Sequence, residues 1–173
     1  MENDVTNKSG DGPLSVSLHD ESLRIEEDCT HSAKSHFNAA DTWRRRHYWL
    51  GIPGTIFAAL AGAALIKDYA IAAQLLSVAA AILTGLLTFL KPSDRASQHK
   101  QVADQYLSLR NDTRVFRNVR ATSLDADEAS NRLEALSKRR NDLNQSSPEI
   151  PRRAFEAARK GIDEGEATYA VDK

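Results

Sequence analysis

Two charge-free apolar segments, Tyr48 to Ile66 and Tyr69 to Leu90, lie back to back with only Lys67 and Asp68 between them. At about 1.5 Å of rise per residue, a helix over the first is ~28 Å long and one over the second ~33 Å, against a hydrocarbon core of ~30 Å. Each can span a bilayer as a helix. Two residues leave room for only a tight turn, so an antiparallel helical hairpin is expected. The rest of the chain is what this hairpin carries into one aqueous compartment.

Its orientation follows from the flanks. A net charge of −1 and a mean hydropathy of −0.48 blend a very apolar hairpin with very polar arms, so local charge is the better guide. Residues 1 to 42 hold three Lys/Arg against nine Asp/Glu, and residues 91 to 120 hold seven against three. The acidic arm and the basic segment after the membrane are therefore suited to attract each other. Trp43, Arg44, Arg45, Arg46, His47, Tyr48 and Trp49 form the membrane entrance, with aromatic rings at headgroup depth and arginines able to reach lipid phosphates. Phe89, Lys91, Arg95 and Lys100 surround the other outer end, while the connecting turn is neutral. By the positive-inside rule both termini face the cytoplasm. The first apolar run follows 47 residues, so no cleavable signal is expected and the hairpin stays in the mature protein.

Inside the spans, small residues recur at every fourth position: Gly54, Ala58 and Gly62 in the first, then Ala73, Ser77, Ala81 and Gly85 in the second. Such stripes let helix backbones approach closely in lipid, where van der Waals contact drives association. Ala59 with Ala63, and Ala80 with Thr84 and Thr88, add further small or hydroxylated edges. One hairpin does not need so many, which favours contacts between chains and a homo-oligomer. Pro53 stands near the start of its span, where it costs little or introduces a kink. Gln74 is the only amide in either span and neither contains a charge, so nothing there resembles a proton relay or a transporter site.

The polar parts read as helices. Residues 1–17 are rich in Asn, Asp, Ser and Gly and are expected to be a disordered tail. With Ser17 as N-cap and Asp20 and Glu21 in the first turn, a juxtamembrane helix over 18–47 is expected to lead into the hairpin at 48–90. Residues 91–173 form a cytoplasmic helical region. Its first helix opens at Ser93 or Asp94 and carries His99, Val102, Tyr106, Leu109, Thr113 and Phe116 along one seam, leaving Arg110, Arg114 and Arg117 on another face. A second is capped by Asp125 with Glu128 and has Ala126, Ala129, Leu133, Leu136 and Leu143 marking a seam, and a third starts near Pro148 to Pro151. No strand alternation is visible. The fold class is an all-α membrane protein, a two-helix transmembrane hairpin with a cytoplasmic N-terminal helix and a C-terminal helical bundle.

Catalytic chemistry has no foothold in this sequence. His31 and His36 are five apart, on different faces of a helix, and no HExxH or CxxC accompanies them. A lone Cys29 excludes an intrachain disulfide. No phosphate loop, dinucleotide fingerprint or nucleophile elbow is present. An enzyme, a cofactor and a metal are not expected. The cluster Arg110, Arg114, Arg117 and Arg120 suits anionic lipid headgroups, the acidic arm or a phosphate-bearing ligand; a solvated face with a few intramolecular ion pairs explains it equally simply. Nucleic acid is the least attractive partner, since the positive excess is modest and no flexible basic tail interleaved with aromatics is seen.

Thr88-Phe89-Leu90-Lys91-Pro92, followed by His99, Tyr106, Leu109-Arg110, Arg114 and Phe116, resembles the bacterial SLATT family, two-transmembrane effector domains associated with SMODS and SLOG proteins. The entrance from Trp43 to Gly51 and the paired spans look like the same family, so the resemblance covers roughly residues 20 to 170. It implies a place in the bacterial inner membrane and a role in prokaryotic conflict systems, including defence against phage. Members stand beside synthases of nucleotide second messengers or beside sensor modules, and act as pore-forming or membrane-perturbing effectors that kill or arrest the infected cell. The family offers no catalytic residues. Two readings follow: an oligomeric effector whose hairpins rearrange into a leak, or an anchor that localises cytoplasmic helices to recruit another protein.

Overall fold

A computed structural model describes residues 13–67, 69–121 and 123–168. Most of the expected disordered tail, and Asp68 between the two spans, lie outside the described residues. Helix α1, Pro13–Ile66, is 54 residues long, which corresponds to about 81 Å. It passes unbroken from the acidic arm through the Trp–Arg entrance and Pro53 into the first span. It begins four residues ahead of Ser17, at a proline, whose fixed φ and missing N–H suit the first position of a helix. Ser17 is therefore not the cap, and Asp20 and Glu21 lie beyond the first turn.

Helix α2, Ala70–Leu90, returns antiparallel against the upper half of α1. The seam between them uses Gly54 and Ala61 on α1 and Ala73 and Ala80 on α2, all buried. A Cβ on Gly54 would stand 3.3 Å from Leu83 Cβ, and one on Gly51 would stand 3.7 Å from Leu87 Cδ1. Half-buried Leu50, Phe57 and Ala64 face half-buried Leu76, Leu83 and Leu87 along the same line. The steps alternate between three and four residues, the period of a narrow left-handed coiled-coil seam. Outside it, large apolar side chains such as Trp49, Ile56, Leu60, Leu75, Val78 and Phe89 are exposed. Only 11% of the most apolar window of each helix is buried. A soluble core helix would be covered by protein, so the bilayer is what covers these.

Lys91 is the single residue that joins α2 to the helical bundle, the other link being α1 itself. Its backbone is left-handed, φ 44° and ψ 52°; its N–H closes α2 on the Leu87 carbonyl at 3.0 Å, and its carbonyl accepts from Arg95 N–H at 3.1 Å to open α3, Pro92–Val115. The expected start at Ser93 or Asp94 thus moves to Pro92. A lysine in this conformation costs about 1 kcal/mol that glycine does not. Lys91→Gly is accordingly expected to raise the thermal midpoint of the detergent-solubilised protein slightly and Lys91→Val to lower it; the reverse order would show that the ammonium outweighs the backbone strain.

The helical bundle packs against the lower half of α1. A single π-turn, Phe116–Arg120, closes with Ala121 N–H donating to the Phe116 carbonyl at 2.9 Å and extends α3. Helix α4, Ala126–Ser146, has the expected cap, Glu128 N–H donating to Asp125 Oδ1 at 2.8 Å. Helix α5, Arg152–Asp163, follows Pro151 and lies on α1. The core joins Ile25, Cys29 and Ala33 of α1 to Tyr106, Leu109 and Phe116, and to Ala129, Leu136 and Leu143 of α4. Among the described residues there is no strand.

Candidate functional site

The chemistry of the molecule concentrates where the hairpin meets the bundle. Trp43 stands one turn before the first span and is clasped by two guanidinium groups, Arg46 of its own helix at 4.5 Å from the ring centre and Arg95 of α3 at 4.8 Å. Each such contact is worth roughly 0.5–2 kcal/mol according to its exposure. Together they fix α3 to α1 just before the first apolar span. Arg44 pairs with Asp41 at 2.7 Å and is exposed, as are Arg45 and Arg46, so this part of the predicted entrance meets solvent or headgroups.

Beside the clasp lies a cleft of about 590 Å³, bounded by the end of α2, the first turns of α3 and the proline-rich α4–α5 connection. Its polar walls carry Lys91, Asp94, Arg95 and Glu149, with Trp43 and His99 behind them. Lys91, Asp94 and Glu149 make no ion pair among the described residues. Phe89, which also borders the cleft, is 85% exposed toward the lipid side.

His99 connects this cleft to a buried contact below it. His36 of α1 and His99 of α3 place their Nδ1 atoms 2.9 Å apart, and Tyr106 stacks on His36 at 5.8 Å between ring centres. One Nδ1 must donate and the other accept, so the accepting ring is neutral and carries its proton on Nε2. The His36 pKa is pulled down to about 4, first by burial and then by the neighbouring His99. His99 is lowered too, by burial and then by Arg95. Tyr106 O–H donates to Asn144 Oδ1 at 2.7 Å, which carries the polar line on to α4. Cys29, fully buried, has its thiol pushed up to about 12, chiefly by burial, and is inert.

The predicted attraction between the acidic arm and the basic segment takes a definite form. Arg117, in the π-turn, donates from Nε to Glu26 Oε1 at 2.8 Å and from its terminal nitrogen to Oε2 at 3.2 Å. Arg140 pairs with Asp28 at 2.8 Å. Arg110 and Arg114 are half-buried on the same face.

Of the seven predicted helix-packing residues, Gly54 and Ala73 lie in the hairpin seam. Ala58, Gly62, Ser77, Ala81 and Gly85 face outward, and a Cβ on Gly62 or Gly85 meets nothing within 4 Å. The heptad seam with its leucines uses a different line, because two helices wound around each other keep contact at every 3.5 residues rather than every fourth. The His36–His99 contact was not predicted. The available signal was His36 sharing the buried stripe of Ala33 and Ala40, as His99 shares that of Tyr106.

A family model described as the SMODS and SLOG-associating 2TM effector domain family 4 matches residues 27–173. No curated protein and no solved structure matches the chain.

Proposed function

From the premise that the chain belongs to this family of two-transmembrane effector domains, we propose that it is a membrane effector of a prokaryotic conflict system, seated in the inner membrane with both termini cytoplasmic. On activation several copies rearrange through their small-residue faces into a pore or a leak that arrests the infected cell. The observation that carries this reading is the division of labour in the hairpin. Its own seam uses Gly54, Ala61, Ala73 and Ala80, and leaves Ala58, Gly62, Ser77, Ala81 and Gly85 on outward faces where another hairpin could pack. Two spans cannot enclose a channel, so the activity needs several chains. The family description ties such domains to SMODS and SLOG proteins, which supports a nucleotide second-messenger synthase or a sensor as the activating partner.

The full chain, expressed with its genomic neighbours and followed with a potential-sensitive dye, is expected to collapse the membrane potential when growth stops. Growth arrest with full polarisation would overturn the pore. In reconstituted vesicles, the double substitution Gly62→Leu and Gly85→Leu is expected to abolish dye leakage while the protein still inserts, because added side chains there leave the hairpin seam untouched. Undiminished leakage would remove these faces from the mechanism. An arrested phenotype that tolerates both leucines without any leak would favour an anchor that recruits a cytoplasmic protein.

A further inference from the structure

We propose that the cleft beside Trp43 seats the headgroup of a zwitterionic phospholipid with a primary ammonium, its phosphate toward Lys91 and Arg95 and its ammonium toward Asp94 and Glu149. The inference rests on the membrane placement of the hairpin and is independent of pore formation. Location is the first argument. The cleft opens at the cytoplasmic end of α2, where the wall at Phe89 continues into the lipid-covered surface. An acyl chain can therefore lie along α2 while its headgroup turns in between α3 and the α4–α5 connection.

Charge is the second argument. Two cations and two carboxylates line one cavity, and none of the four makes an ion pair among the described residues, Arg95 lying over the Trp43 ring. A purely anionic ligand would meet Asp94 and Glu149, and a purely cationic one would meet Lys91 and Arg95. A dipolar headgroup satisfies both pairs, through charge-assisted hydrogen bonds that strengthen as water is excluded. A primary ammonium offers three N–H donors to the carboxylates, as a lysine does, whereas a trimethylated ammonium offers none. Size and rigidity agree. The volume of about 590 Å³ falls in the ~300–1,000 Å³ range of ligand clefts. Pro92, Pro148 and Pro151 stiffen its walls, and Arg95 is already held against Trp43.

The full chain in detergent, titrated with equal amounts of phosphatidylethanolamine, phosphatidylcholine and phosphatidylglycerol and read by native mass spectrometry, tests this. Phosphatidylethanolamine is expected to be retained best. Glu149→Gln should lower that retention about tenfold, the loss of one charge-assisted bond, without weakening phosphatidylglycerol. Arg95→Gln should weaken both lipids, and Lys91→Gln repeats that test without touching the Trp43 clasp. Equal retention of the three lipids, or a preference for phosphatidylglycerol that Glu149→Gln leaves unchanged, would overturn the proposal. Displacement of the bound lipid by inorganic phosphate alone would also overturn it, by assigning the cations to a free phosphate. Matching circular dichroism melts show that each variant is folded.

Discussion

Lowering the pH from 7 to 4 is expected to remove about 3 kcal/mol of stability from the helical bundle, which is a roughly 150-fold loss of amide protection in α3. The cause is the pair His36 and His99. In the unfolded chain each ring titrates near pH 6.5, whereas in the fold His36 holds its neutral form down to about 4 and His99 is lowered as well. Above pH 6.5 both states are neutral and the native pair is fully stabilising. Between 6.5 and 4 the unfolded chain binds protons that the folded chain refuses, so stability falls as pH falls. Below about 4 the folded His36 takes its proton too and the slope ends. A second proton would also leave two N–H groups facing each other across 2.9 Å. Hydrogen exchange, corrected for intrinsic rates, measures the effect. The double variant His36→Phe with His99→Leu should flatten the profile, and a wild-type profile already flat over this window would refute the assignment.

Arg117→Ala is expected to destabilise the bundle by about 2–3 kcal/mol, somewhat less than the roughly 3–5 kcal/mol of fully enclosed pairs. The Arg117 and Glu26 side chains are only 18% and 13% exposed. Removing the guanidinium therefore strands a largely buried carboxylate. The contact also joins residues far apart in sequence, one on α1 and one in the π-turn, whose extra residue sets the direction of Arg117 while Phe116 stays in the core. Replacing both partners, Glu26→Leu with Arg117→Met, should recover most of the loss because no charge is left unpaired. A thermal melt in detergent distinguishes the cases: equal losses in the single and double variants would mean that Arg117 acts through its alkyl packing and not its charge.

The elements easiest to read in the sequence were those whose signals are local. Absence of charge marked both spans, and Asp125 with Glu128 marked the start of α4 because a capping box is complete within four residues. The start of α1 is harder to read, because Ser17 has the chemistry of a cap while the helix opens four residues earlier at Pro13, inside a stretch of tail-like composition. The small-residue stripe was visible as composition, yet the seam also uses Leu76, Leu83 and Leu87, which are indistinguishable in sequence from the leucines that face lipid. The junction site lay furthest from view. His36 meets His99 across 63 positions, and Glu149 reaches the cleft through the α4–α5 connection, contacts that only the tertiary path creates.

The unbroken course of α1 makes it a drive shaft. Each residue of a helix advances the phase by about 100°, so the angle at which Ile25 meets the bundle fixes the angle at which Gly54 meets Leu83, with no loop in between to absorb a mismatch. No turn or loop interrupts α1 between the bundle and the span, and its one helix-interior proline, Pro53, has no N–H to complete the ladder, so bending is eased there. One residue inserted between Asp41 and Trp43 would turn the upper part of α1 by about 100° against the lower part and set the Trp43–Arg95 clasp against the His36–His99 contact.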